Sequence, residues 1–144
     1  MIELITVMIL LGVLAAYATA RLDVAIFREK GFHDALKSGL QYARKAAVAK
    51  RRQVCVTVAM GNGEVVSFTV VATAPETAGA ACPTANALPL PGSSVNSIST
   101  PTGVNLTAGN SFSFDALGRA SAAVTLSSTG QPDITVVQET GYVQ

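Results

Sequence analysis

Three patterns of hydrophobic and polar positions follow one another along the chain. The first is unbroken: Leu4 to Ala20 reads LITVMILLGVLAAYATA, 17 residues without a charge. As a helix this run spans roughly 26 Å, the short end of what crosses a bilayer core. A soluble helix shows a polar face, whereas here only Thr6 and Thr19 interrupt the apolar surface. Residues 1–20 are therefore expected to form a transmembrane or filament-core helix. The second pattern has the helical period: Phe32, Leu36, Leu40, Ala43 and Ala47 form one stripe, and Arg28, Lys37, Arg44, Lys45 and Arg51 mostly fall off it. No proline interrupts residues 21–52. They are expected to continue the first helix as an amphipathic one, giving a rod of about 50 residues and roughly 75 Å.

The third pattern alternates. Val54, Val56, Val58 and Met60 are interleaved with Cys55, Thr57 and Ala59, and after Gly61-Asn62-Gly63 the alternation resumes with Val66, Phe68 and Val70. That predicts a β-hairpin with a glycine-bearing turn. Five of the six prolines lie in residues 73–103 among Ala, Ser, Thr and Gly, which predicts a long irregular surface loop. Strands are expected again over 104–107, 111–114, 120–126 and 134–138, with turns at 115–118 and 128–133. Residues 53–144 thus read as a β-rich head. A long N-terminal helix packed on a C-terminal antiparallel sheet is an α+β layout.

Composition narrows the class. At 144 residues the chain fits one domain. A hydrophobic share of 49% against 13% charged excludes a disordered chain. The net charge of +1 hides an asymmetry: residues 21–52 hold nine Lys/Arg against Asp23, Glu29 and Asp34, whereas residues 53–144 hold Arg119 against five acids. Arg44-Lys45 and Lys50-Arg51-Arg52 could attract DNA or anionic lipid. A solvated helix face, pairing along the helix and with acidic heads of neighbouring copies, is the stronger reading.

No catalytic constellation appears. His33 stands beside Asp34, and adjacent helical positions do not face each other. There is no G-x-S-x-G, P-loop or H-E-x-x-H, and two cysteines with one histidine lack zinc-site spacing. Neither an enzyme nor a cofactor is expected. Asn105-Leu106-Thr107 fits a glycosylation sequon, a short pattern that often arises by chance.

Glu3 is the most informative residue. A carboxylate beside a run of Leu, Ile, Val and Met is costly unless it pairs or neutralises. Its nearest candidate partner is the N-terminal amine of another copy; the bland alternative is a solvated group at headgroup level. A secretory signal fits poorly despite Ala18-Thr19-Ala20, because the start has an acid and no Lys or Arg. A plain anchor leaves Glu3 unexplained.

Met1-Ile2-Glu3-Leu4-Ile5-Thr6-Val7-Met8-Ile9-Leu10-Leu11-Gly12-Val13-Leu14-Ala15-Ala16 resembles the start of type IV pilins and type II secretion pseudopilins. That family begins its mature chain Phe-Thr-Leu-Ile-Glu-Leu after a prepilin peptidase removes a short basic leader. The resemblance places Glu3 at the family's invariant glutamate and Gly12 at its helix-loosening glycine. The sequence starts two residues later than the family pattern, so the methylated residue is expected ahead of Met1. Ala20 stands where many pilins have a kinking proline. Phe114-Asp115-Ala116-Leu117-Gly118-Arg119 and Leu40 to Ala49 are similar to the GspH/FimT-like pilin domain. Residues Gly31 to Val56 also resemble minor pilins of the mannose-sensitive haemagglutinin pilus.

The resemblance implies a type IV pilin fold and assembly through Glu3, Leu4 and Gly12. Implied partners are copies of itself or other pilins, the inner membrane before assembly, the prepilin peptidase and the pilus assembly machinery. The product would be an extracellular pilus or a periplasmic filament. The alternative is a minor pilin or pseudopilin that primes or tips a filament. A DNA-binding uptake pilin is the weakest version, because Gly141-Tyr142-Val143-Gln144 lacks both arginines of the family's basic Gly-Arg-x-Arg motif. Export would place Cys55 and Cys82 in an oxidising compartment, where a disulfide is expected. Such a bond would pin the long loop to the sheet; the alternative is two unpaired thiols.

Overall fold

A computed structural model describes residues 2–19, 24–61, 63–72, 82 and 86–144. Two helices come first, α1 (Ile2–Thr19) and α2 (Val24–Lys50). The junction at 20–23, including Ala20, lies outside the described residues, so the expected unbroken rod is described as two stretches. Seven strands follow: β1 (Val54–Ala59), β2 (Val65–Val70), β3 (Ser97–Ser99), β4 (Leu106–Ala108), β5 (Phe112–Phe114), β6 (Val124–Ser128) and β7 (Ile134–Val136). They form a four-stranded sheet ordered β3-β2-β1-β5 and a three-stranded sheet ordered β4-β6-β7. Every pairing is antiparallel.

The apolar stripe of α2 is the face that meets the sheet. Phe32, Leu36, Leu40, Ala43 and Ala47 are buried, together with Gly39 and Ala46. Leu36 and Leu40 each contribute about 1.5–3 kcal/mol by leaving water. The small residues set the approach distance. A Cβ on Gly39 would stand 2.8 Å from Ile98 Cδ1 and 3.2 Å from Phe68 Cζ, so β2 and β3 fill the space its missing side chain leaves.

Helix α2 ends two residues earlier than the basic run. Arg51 takes a left-handed backbone with φ 49°. Its N–H donates to the Val48 carbonyl, and that of Arg52 donates to the Ala47 carbonyl. This pair of bonds closes the last turn and satisfies carbonyls the helix leaves open.

The β1–β2 hairpin has the register the alternation implies, with Val54 opposite Val70 and Val56 opposite Phe68. Gly61 and Gly63 carry its turn with φ of 119° and 83°. On the other side of β1, β5 brings Phe112 and Phe114 into the core, their rings edge to face at 5.2 Å. The second sheet closes the core with Leu106, Val124, Leu126, Ile134 and Val136.

The segment 73–103 corrects the sequence expectation where it is described. Its second half is sheet edge rather than free surface loop: Leu88 is buried and its N–H donates to the Phe68 carbonyl, while Ser97–Ser99 pair with β2 as β3. Residues 73–81 and 83–85 lie outside the described residues. The other strands are shorter than expected. Ala120 bridges Phe114 outside any strand and donates its N–H to the Gln138 carbonyl, Ser121 donates to the Ser113 carbonyl, and β6 starts at Val124.

Candidate assembly surface

Helix α1 forms because Leu, Ile and Ala dominate it and no proline interrupts it. Glu3 lies in its first turn, where a negative charge complements the partial positive charge of the helix start. The Thr6 hydroxyl folds back to donate to the Glu3 carbonyl at 2.8 Å. Among the described residues no cation pairs with the Glu3 carboxylate, which is exposed.

What distinguishes α1 is what it does not bury. Ile2, Leu4, Ile5, Val7, Met8, Ile9, Leu10, Leu11, Val13, Leu14 and Tyr17 are all exposed, between 50% and 80%. Around Gly12 the space is open, with nothing beyond the helix's own backbone and the neighbouring residues within 4 Å of where a Cβ would stand. In the first turn of α2, Val24, Ile26 and Phe27 are exposed as well. An exposed apolar surface of the extent α1 presents marks a site for association with another molecule. Helix α1 is roughly 27 Å long, and among the described residues no helix is long and apolar enough to cross a membrane.

In the head, the Asp115 turn is the most elaborately bonded feature. Gly118 donates its N–H to the Asp115 carbonyl, and the Asp115 carboxylate accepts from the backbone N–H groups of Leu117 and Arg119. The Arg119 guanidinium completes the set at 2.8 Å. Partial burial pushes the Asp115 pKa up. The hydrogen bonds from Arg119 and Leu117, with the Arg119 charge, outweigh it and hold the carboxyl below its ordinary value. Arg44 of α2 donates from Nε to the Gly118 carbonyl at 3.3 Å, so one cation of the basic helix serves the fold.

Cys55 and Cys82 are joined by a disulfide. Cys55 is fully buried on β1, and Cys82 is exposed. The C-terminal Gly141 to Gln144 stretch is bonded into the second sheet: Val143 bridges Val136, and Gln144 exchanges two backbone bonds with Thr135. His33 and Asp34 do approach, Nδ1 to Oδ1 at 3.5 Å, which is too long for a strong pair and lies on the helix surface. Among the described residues no group of His, Cys, Asp and Glu could hold a metal ion.

Three close contacts carry no label in the sequence. Gly39 admits Ile98, and Gly141, at φ 60°, lies so close to the Gly118 carbonyl that a Cβ there would collide with that oxygen. Glu29 lies against Gly130 in the β6–β7 turn. Glycine in a helix or near a chain end was the only available signal for the first two.

Comparison with solved structures places this architecture among pilin heads. The type IV minor pilin FimU of Pseudomonas aeruginosa matches with a TM-score of 0.59 at 18% identity, over 81% of this chain and 86% of that one. A second crystal form of FimU gives 0.55 at 20% identity, over 80% and 90%. The minor pseudopilin EpsH from the type 2 secretion system of Vibrio cholerae gives 0.57 at 12% identity, over 81% and 94%. At these identities the likeness establishes the type IV pilin fold. A search of curated proteins gives no match. Residues 34–141, the second helix from Asp34 onward and nearly all of the head, match the family described as type II transport protein GspH. With a bare apolar helix at one end and this head at the other, the chain belongs to the GspH family, as a pilin-like structural subunit and not an enzyme.

Proposed function

We propose that the chain polymerises through α1 into a type IV pilus-type filament. The observation that supports this most is the uncovered apolar surface of α1, with Glu3 in its first turn. In this reading α1 and the residues after it hold the subunit in the inner membrane, then pack the filament core. Glu3 neutralises the N-terminal amine of a neighbouring subunit and so sets the axial register, because an unpaired carboxylate in that core would be expelled. Leu4 packs beside it, and Gly12 supplies the weak point at which the helix can loosen. Processing by a prepilin peptidase, N-terminal methylation and delivery by the assembly machinery belong to the same proposal. So does a final location in an extracellular pilus, where the heads serve adhesion, or in a periplasmic filament.

The match to GspH, and the likeness to a minor pilin and a minor pseudopilin, favour a second reading in which the chain primes or tips a filament built of another pilin. Mass spectrometry on filaments sheared from native cells separates the two. A dominant band of this chain supports the first, and trace amounts beside an abundant pilin support the second. Nucleic acid is not a proposed partner: Arg44 is engaged by Gly118, and the last four residues carry no cation.

The decisive variant is Glu3→Ala. It is expected to leave the subunit in the membrane fraction and abolish assembly. Filaments at wild-type yield would refute the role given to Glu3.

A further inference from the structure

The two ends of the Cys55–Cys82 bond stand in opposite surroundings. Cys55 lies on β1, with Thr69 of β2 opposite it on one side and Ser113 of β5 on the other. Its neighbours Val54 and Val56 belong to the core with the α2 stripe, so the alternation of the strand turns Cys55 to the other face of the sheet. There it is 0% exposed, whereas Cys82 is exposed. A reagent that meets this bond in the folded protein therefore meets it from the Cys82 side.

The buried side holds a second feature. Thr69 is 7% exposed, and among the described residues its hydroxyl is a buried polar group with no hydrogen-bond partner. Buried hydroxyls are nearly always bonded, because an unpaired one loses its water and gains nothing in return. Register pairing puts Thr69 and Cys55 on the same face of the sheet, with Cβ atoms about 4.5–5.5 Å apart. On the other side, Gln53 Nε2 stands 4.0 Å from Cys55 Sγ while donating to Ser113 Oγ at 3.0 Å. Two donors thus flank a sulfur that is a poor acceptor in a disulfide and a strong one as a thiolate.

We propose that Cys55–Cys82 is an exchangeable disulfide, entered at Cys82 by a thiol, with the Thr69 hydroxyl and the Gln53 amide placed to receive the Cys55 thiolate. The incoming thiolate bonds to Cys82 Sγ, the bond between the two Sγ atoms breaks, and its electron pair leaves on Cys55 Sγ. Cys82 is then in a mixed disulfide with the incoming thiol. A second thiolate attacks the incoming sulfur of that mixed disulfide and releases Cys82, so two thiols are oxidised to a disulfide and Cys55–Cys82 is reduced to two thiols. The course through Cys55 is closed, because the attacked sulfur must be accessible. A donor beside the leaving sulfur speeds the first step, since charge develops there as the bond breaks.

The test treats the full oxidised chain in detergent with reduced glutathione, quenches in acid and maps the adduct by mass spectrometry. The expected first product carries glutathione on Cys82 and a free Cys55, at a rate that urea leaves unchanged below the unfolding transition. An adduct on Cys55, an even split, or a rate that follows the unfolded fraction would overturn the proposal. Thr69→Val is expected to slow the reaction about tenfold, and Thr69→Ser to leave it near wild type. Valine removes an unpaired hydroxyl from the interior, so the melting temperature should not fall with the rate. Equal rates in all three proteins would overturn the part given to Thr69. A Cys-x-x-Cys dithiol protein with its second cysteine changed to serine separates the sources of the thiol. Its capture on Cys82 where glutathione is inert assigns a protein partner, reaction with glutathione alone assigns a small thiol, and reaction with neither would overturn the proposal.

Discussion

Arg119 reaches both oxygens of Asp115, its backbone N–H donating to Oδ1 and its Nε to Oδ2, each at 2.8 Å. One carboxylate thereby fixes the turn after β5 and orients the arginine that follows the glycine. The same turn accepts Arg44 from the helix at Gly118, so it ties the head to α2. This gives the Phe-Asp-x-x-Gly-Arg pattern a physical role: the aspartate closes the turn, and the glycine lets it pass under α2 with a φ of 82°.

The pKa of Asp115 is lowered in the folded protein. Its contribution to stability is therefore fully present above the unfolded value, near 3.9, and is lost as pH falls through the lower folded value. The group is partly exposed, so solvent screening keeps the effect small, about 0.5–1 kcal/mol. Asp115→Asn is expected to lower stability by that amount at pH 7 and by much less at pH 2.5. Urea titrations of the full chain in detergent at the two pH values measure the difference. An equal loss at both would show that the charge does not matter.

Two glycine-to-alanine changes are expected to have opposite signs. At Gly141 the left-handed backbone disfavours any side chain, and the added Cβ would collide with a backbone oxygen that cannot swing aside. Gly141→Ala should cost about 2–3 kcal/mol. At Gly31, in the exposed part of α2, nothing beyond the helix's own backbone and the neighbouring residues lies within 4 Å of the new carbon. Gly31→Ala should gain about 0.5–1 kcal/mol from helix propensity alone. Thermal melts of both variants against wild type test the pair.

Reduction of Cys55–Cys82 opens a loop with a sequence separation of 27 residues. In the chain-entropy model that loses about 3–4 kcal/mol. The double variant Cys55→Ala/Cys82→Ala should lose a similar amount and become insensitive to dithiothreitol. A wild-type midpoint unmoved by dithiothreitol, with thiol titration confirming reduction, would show that the bond contributes nothing.

Legibility followed periodicity. The stripe from Phe32 to Ala47 and the alternation around Val56 and Phe68 each repeat often enough to specify a face, and those faces form the core. β3 was hidden because Ser97–Ser99 is short and stands in a proline-rich stretch, and its pairing comes from the edge of β2. Gly39 was hidden for a different reason. A glycine in a helix reads as a weakness, and only the arrival of Ile98 from 59 positions away makes it a packing site. The signal at Glu3 was strong in the sequence, yet its proposed partner stands on another copy, beyond what the packing of one chain can supply.

The end of α2 offers the last test. Glycine is the usual residue where a helix closes with a left-handed backbone, and here Arg51 holds that place at φ 49°. The arginine contributes a cation near the negative end of the helix, but its exposed side chain gains little from that in water. Left-handed strain costs more, roughly 1–2 kcal/mol for a residue with a Cβ. Arg51→Gly relieves it while giving up some rigidity of the unfolded chain, for a net gain of about 1 kcal/mol. Arg51→Ala removes the charge and keeps the strain, so it should leave stability within about 0.5 kcal/mol of wild type. Urea midpoints of the three proteins decide the matter. If glycine gives no more than alanine, the closing bonds from Arg51 and Arg52 already compensate the strained backbone.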